Sequence, residues 1–406
     1  MVSFSFLFAL RLEYRTLVDE LEMPPSKEAP LRIAVIGAGI GGLAFTAMVS
    51  REPGAQVRVF EQAKAFARVG AGIQQSPNSV KVLRGIGLEG TLRQKAFRPD
   101  ASLNRQFDTG ETTWERRLGA EVEALYGAPH LYMHRGDLHA ALLDSVPDGC
   151  IALGHKLEGL EVGASGVKLR FDNGVEAIAD VVIGADGVHS VVREKLFGPE
   201  APRFTGRVAY RTTFSAERLD EPLLDGSCKW WGPDRHIVIY YVNPRRDEVY
   251  FVTSTPEPDF TQESWSQEGD LETLKVAYAE FHPAVKAVLE ACPRVHKWAL
   301  FDRDPMARWH EGPIALLGDA CHPMTPYMAQ GAAQAIEDAA VLSRCLLKVD
   351  RAGVSDALLA YERTRLPRTS RIQRISRLND MAAIKAEIAA VYGYDAWTAP
   401  LVKIGS

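Results

Sequence analysis

Leu31-Arg-Ile-Ala-Val-Ile36-Gly37-Ala-Gly39-Ile-Gly-Gly42 is the stretch that decides the fold. Six apolar-rich residues form a short buried-strand run and pass directly into a GxGxxG turn. An apolar helical segment, Leu43 to Val49, follows, then a second strand, Gln56-Val-Arg-Val-Phe60, ending at Glu61. The pattern predicts a βαβ unit with an acidic residue 19 positions after Gly42. Each part has a physical task. Gly37 permits the tight turn, Gly39 lets backbone approach a pyrophosphate, and Gly42 lets helix and strand pack closely. The helix N-terminus offers N–H donors and positive potential to phosphates, and Glu61 is placed to accept from ribose hydroxyls. The unit predicts dinucleotide binding without separating FAD from NAD.

Two later segments repeat a strand-then-aspartate shape. Asp180-Val-Val-Ile-Gly-Ala-Asp186-Gly187 runs from a buried strand into a polar turn and a helix. Gly312-Pro-Ile-Ala-Leu-Leu-Gly318-Asp319 does the same, and Pro326, Tyr327, Gln330 and Gly331 then lead into a helix from about Ala332 to Lys348. An aspartate at the C-terminal edge of a strand suits a sugar hydroxyl, and a helix N-terminus after Gly331 suits an anionic ring edge. Taken singly, each also reads as an exposed turn aspartate.

In this order the three motifs resemble the class A flavoprotein monooxygenases, which hydroxylate aromatic rings. His134-Arg135-Gly-Asp-Leu138 and Gly70-Ala-Gly72-Ile-Gln74 match further family segments, and the likeness runs from about Leu31 to Asp395. It implies an α/β fold: a glutathione-reductase-type FAD-binding domain with a Rossmann βαβ core, an inserted antiparallel-sheet substrate domain, and C-terminal helices. The expected division is an extension or disordered arm over 1–29 and FAD-binding parts at 30–205 and 304–350. A substrate-side excursion falls near 100–130, the substrate sheet at 206–303, and the helices at 351–406. FAD contacts are implied for Gly37, Gly39, Gly42, Glu61, Gly72, Arg135, Asp186, Asp319, Gly331 and Ala332. NADH or NADPH is implied as a transient co-substrate, because no second GxGxxG domain exists for it.

The inserted region is β-branched and aromatic, with turns such as Gly232-Pro233-Asp234 and Asn243-Pro244. Residues i and i+4 of a strand share a face, so His236 and Tyr240 point the same way. Both could equally be hydrogen-bonded into a sheet edge, and Trp230-Trp231 reads as core. The resemblance implies that His236 and Tyr240 touch substrate; Pro326 and Tyr327, just before the flavin-facing helix, are placed to line the pocket with Gln74, and Arg211 is the candidate for a substrate carboxylate, a surface or FAD-domain salt bridge being its other reading. It also implies O₂ activation through a flavin C4a-hydroperoxide, with decarboxylative attack on a small aromatic or pyridine acid such as 6-hydroxynicotinate. A salicylate-type or non-decarboxylating phenol hydroxylase is the alternative on the same scaffold, and a flavin-binding protein without turnover is a third reading. Gln74 and Ser227 stand where pyridine-hydroxylating members carry a histidine and a cysteine.

Composition narrows the rest. The 406 residues are 46% hydrophobic and 24% charged with a net charge of −5, which gives no electrostatic case for nucleic acid or an anionic membrane. Five dispersed cysteines contain no CxxC pair, so reduced thiols, a cytoplasmic setting and no bound metal are expected. No segment holds the ~20 apolar residues that span a bilayer. Val2 to Leu10 is apolar but lacks a basic region before it. Ser355 to Ala390 reads as helical with a kink at Pro367, and its six arginines as a solvated face or a subunit contact. A monomer or homodimer is expected.

Overall fold

All six residues of β1 (Leu31–Ile36) are buried, as a strand covered on both faces requires. In this computed structural model, residues 30–68, 71–260, 267–347 and 349–404 are described; the extension expected over 1–29 lies outside them. Helix α1 (Ile40–Val49) begins three residues earlier than expected, directly on the glycine turn, and β2 (Ala55–Glu61) follows. The chain continues through β3 (Gly72–Gln75), α2 (Pro77–Gly85) and α3 (Glu89–Lys95) to a hairpin, β4 (Ala101–Gln106) and β5 (Thr112–Arg117). Next come α4 (Gly119–Tyr126), β6 (Leu131–His134), α5 (Arg135–Leu143) and β7 (Ile151–Leu153). A small antiparallel sheet, β8 (Leu157–Gly163), β9 (Gly166–Phe171) and β10 (Glu176–Ala179), precedes β11 (Val181–Gly184) and α6 (Val191–Phe197).

The inserted strands are β12 (Arg203–Ser215), β13 (Ser227–Trp231), β14 (His236–Tyr241) and β15 (Glu248–Pro256), joined by β16 (Glu268–Gly269) and β17 (Val295–Asp302). Helices α7 (Leu271–Ala277) and α8 (Pro283–Ala291) lie between the last two. The chain closes with β18 (His310–Glu311), β19 (Ile314–Leu316), α9 (Gly331–Leu346), α10 (Val354–Leu378) and α11 (Met381–Gly393).

The first sheet has the order β18-β19-β11-β1-β2-β7 and is parallel except at the β18 edge. The second has the order β16-β17-β12-β15-β14-β13-β4-β5. It exceeds the expected insert, because β4 and β5 extend it and β4 pairs parallel with β13. Separate apolar clusters fill the two regions.

The C-terminal helices differ from expectation in two ways. Pro367 lies inside a continuous α10, and the break comes at Asn379, whose φ of 49° ends the helix. Asp380 then caps α11 by accepting from the N–H groups of Ala382 and Ala383 at 2.7 and 3.4 Å. Nor do the arginines all face solvent. Arg365 is fully buried, donating to Asp338 at 2.7 Å and to Glu337 at 2.6 Å. Arg368 donates to both oxygens of Glu337 at 2.8 and 2.9 Å, and Asn78 from α2 reaches the same carboxylate at 2.6 Å. His322 bonds Asp338, to which Gly318 N–H also donates at 3.2 Å. This network fixes α9 against α10, α2 and the Gly318 turn.

Candidate active site

A cavity of about 530 Å³ lies between the glycine turn of the parallel sheet and one face of the antiparallel sheet. At the turn, Gly37 has φ +103°, and a Cβ there would stand 2.5 Å from Ala185 O. A Cβ on Gly42 would stand 2.1 Å from Gly37 O, so helix and turn touch backbone to backbone. At Gly39, by contrast, a Cβ would meet nothing within 4 Å; its open side belongs to the cavity wall. Asp319 also lines the wall, its carboxylate open to the cavity and accepting no hydrogen bond among the described residues, and its carboxyl is raised by desolvation against the pull of His322 and Arg135. Gly331 and Ala332, at the N-terminus of α9, complete this side. A cradle without side chains, an unspent acceptor facing the cavity and a helix N-terminus fit the pyrophosphate, sugar and ring of FAD.

Other expected cofactor residues take different positions. Asp186 does not reach the cavity wall: Ser190 Oγ and the Val192 N–H donate to its two oxygens at 2.6 and 3.1 Å, so it anchors the start of α6. Its neighbours Ala185 and Gly187 line the wall instead. Glu61 accepts from the N–H groups of Ala38 and Ala63, each at 2.8 Å, and so braces the glycine turn. Gly72 makes room for aromatic rings, since a Cβ there would stand 2.5 Å from the Tyr250 ring and 2.7 Å from the Tyr240 hydroxyl. Arg135 lines the cavity with its pKa lowered by burial and supported by Asp319.

The antiparallel sheet supplies the opposite wall. His236 pairs with Trp231, and Tyr240 with Ser227, across the β13–β14 hairpin, so all four side chains share a face. His236 is buried, its ring 5.5 Å from that of Tyr327 and 4.8 Å from that of Trp231. Burial, then the charges of Lys229 and Arg207, hold its pKa well below the ordinary histidine value. Burial pushes the Tyr240 phenol well above its ordinary range, and Gln74 hydrogen-bonds to it. Tyr327 hydroxyl lies 2.9 Å from Ser254 Oγ, which accepts from Arg207 at 2.7 Å. Gln74, Arg211 and Pro326 also line the cavity, with the Arg211 guanidinium 4.0 Å over the Trp298 ring.

Sequence reasoning missed Lys229, Trp114, Arg116, Met381 and Ile384, all of them on the wall. Lys229 was findable: the Gly232–Arg235 turn sets the hairpin register that puts it on the His236 face. Arg116 arrives through the parallel β4–β13 pairing, which no local pattern announces. Cys321, His322 and Asp338 converge within 4.8 Å, but Asp338 is already held by Arg365, His322 and Gly318.

A Rossmann sheet whose bare glycine turn opens under a histidine- and tyrosine-bearing sheet has the architecture of a flavin-dependent ring hydroxylase. The chain matches the family model described as FAD binding domain over residues 31–376, and it belongs to that family. It is 42% identical over 374 residues to 6-hydroxynicotinate 3-monooxygenase of Pseudomonas fluorescens, covering 92% of this chain and 97% of that one. With the Bordetella bronchiseptica enzyme of the same name, the identity is 43% over 375 residues at 92% and 97% coverage. The solved structure of a salicylate hydroxylase substrate complex matches with a TM-score of 0.78 at 26% identity, covering 91% and 97% of the two chains. The protein is thus an FAD-dependent aromatic-ring monooxygenase, with NAD(P)H as reductant. No described helix is long and apolar enough to cross a membrane.

Proposed function

We propose that the cavity takes a small hydroxylated aromatic or pyridine carboxylate, with 6-hydroxynicotinate the first candidate, and hydroxylates it with loss of CO₂. The observation that carries this reading is charge. Arg116, Arg135, Arg211 and Lys229 line the cavity, and Asp319 is the one carboxylate among the described lining residues. A cationic, partly aromatic chamber favours a flat anion. In nicotinate the carboxylate sits on C3, so a hydroxyl placed on C3 restores aromaticity only when CO₂ leaves. The 6-hydroxyl lies para to that carbon and activates it once deprotonated.

His236, kept neutral by its surroundings, takes the hydroxyl proton, directly or through Tyr240 or a water. Tyr240 stays protonated and donates to the ring oxygen. Bound FAD supplies, with NAD(P)H and O₂, the electrophilic oxygen that the ring carbon attacks. Gln74, Arg211, Pro326 and Tyr327 orient the ring and exclude water, so that oxygen is not lost as H₂O₂. On the cofactor side Gly37, Gly39, Gly42, Asp319, Gly331 and Ala332 hold FAD, with Arg135 facing it and Glu61, Gly72 and Asp186 shaping the cradle. The same reading assigns 30–205 and 304–350 to FAD binding, 206–303 to substrate, and 351–406 to the closing helices.

The test is NADH oxidation in air by the FAD-loaded protein, with and without 6-hydroxynicotinate, following product and H₂O₂ together. Strong stimulation with a hydroxylated, decarboxylated product and little peroxide is expected. Peroxide alone would mean that the ring triggers reduction but is the wrong substrate, with Gln74 the first position to examine. No stimulation would overturn the pyridine reading and move the search to salicylate, the alternative favoured by the solved salicylate hydroxylase complex.

A further inference from the structure

Four cations line the cavity. Arg135 faces Asp319. Arg211 lies over Trp298 at 4.0 Å. Arg116 donates to the Tyr392 hydroxyl of α11 at 2.8 Å. Lys229, like Arg211, stands over an aromatic ring, and its place on the sheet sets it apart. Its ammonium stands 3.8 Å over the Trp231 ring and 5.9 Å from the centre of the Tyr327 ring, and the one ionised group acting on it is Arg116, a like charge.

The register fixes where that ammonium belongs. Lys229 pairs with Val238, while the flanking pairs on the same face are Trp231 with His236 and Ser227 with Tyr240. Lys229 therefore occupies the centre of the face whose two ends are the proposed base and the proposed donor. Adjacent strands lie ~4.8 Å apart, so a long lysine side chain reaches a ring oxygen held between His236 and Tyr240.

We infer that Lys229 binds the oxyanion left on the substrate ring when His236 takes the hydroxyl proton. This rests on the proposed substrate reading. The O–H bond breaks, the proton goes to a His236 ring nitrogen, and the negative charge left on oxygen meets the ammonium. A ring ionised in this way is electron-rich at the para carbon, so Lys229 makes the attacking state the stable bound state. Tyr240 contributes a neutral hydrogen bond to the same oxygen.

The electrostatics of the face support the assignment. Burial, then Arg116, lowers the Lys229 pKa to about 7. The groups facing it are Arg116 from β5, His236 and Tyr240 from β14 and Tyr327 from the turn before α9; β4 presents only the neutral Ser102 and Asn104. His236 is neutral well below its ordinary pKa and Tyr240 protonated well above its own. Lys229 is thus a group of this face placed to change charge near pH 7, and an arriving oxyanion restores its proton.

The experiment is a spectrophotometric titration of ring hydroxyls bound to the FAD-loaded protein without reductant. The probes are 6-hydroxynicotinate, 4-hydroxybenzoate and unsubstituted phenol; the proteins are native, K229M, K229R and R211M. In the native protein the bound hydroxyl should ionise about one to three pH units lower than in K229M, with K229R retaining the shift. Equal midpoints in native and K229M overturn the role of Lys229 while leaving the substrate reading intact. A shift lost in R211M but kept in K229M assigns the oxyanion to Arg211. Tighter binding of phenol than of the two acids overturns the carboxylate reading, and the phenol midpoints still test Lys229. If K229M does not retain FAD, the comparison of native with K229R at pH 8.5 decides: a permanent cation should hold the ionised form at least as well as lysine.

Discussion

His236 shows how a side chain is made a base by its neighbours. Burial and two nearby cations keep it neutral where an exposed histidine would begin to charge. His236→Ala should leave flavin content unchanged and lower coupled hydroxylation by roughly 10²- to 10⁴-fold, read as product formed per NADH consumed. Full coupled turnover in that variant would remove His236 from the mechanism. The acid limb of the native rate should lie below the ordinary histidine range. K229M removes one of the two charges that depress His236, so that limb should move upward in pH. A limb that stays in place would mean that His236 does not set it.

Among the elements, α9 depends most on what surrounds it. Its Glu337 and Asp338 are fully buried, and burial alone would raise both carboxyls. Arg368 and Arg365 hold Glu337 below the usual carboxylate range, and His322 and Arg365 do the same for Asp338. Arg365→Met leaves charge without its partner and should destabilise the fold by about 3–5 kcal/mol, measured by denaturant unfolding of the FAD-loaded protein. A loss under 1 kcal/mol would show that the network tolerates the gap. The sequence states the β1–α1–β2 unit outright, because the glycine spacing and strand-helix alternation are local. Both aspartate turns were equally legible as elements, yet only Asp319 reaches the cavity. Asp186 looked identical in sequence, and only Ser190 and the α6 N-terminus decide where its carboxylate goes. The eight-stranded sheet was visible in its inserted strands and hidden where β4 joins β13, since parallel pairing across more than a hundred residues leaves no periodic mark. Arg365 was misread for the same reason: its acidic partners lie on another helix.

For the whole molecule, a set of buried carboxylates ties stability to pH. Asp180, Glu337, Asp338 and Glu362 have lowered pKa values, so their stabilisation is present above the ordinary carboxylate range and is lost as pH falls through their folded values. Asp319 is raised instead, and it opens on the cavity, where its carboxylate is available to a sugar hydroxyl. Asp319→Asn should weaken FAD binding roughly tenfold, followed by flavin fluorescence. An unchanged FAD affinity would remove Asp319 from the cradle. The cavity wall draws on positions as far apart as Gly39 and Ile384. A ribosome must therefore release nearly the whole chain before a nucleotide has anywhere to settle.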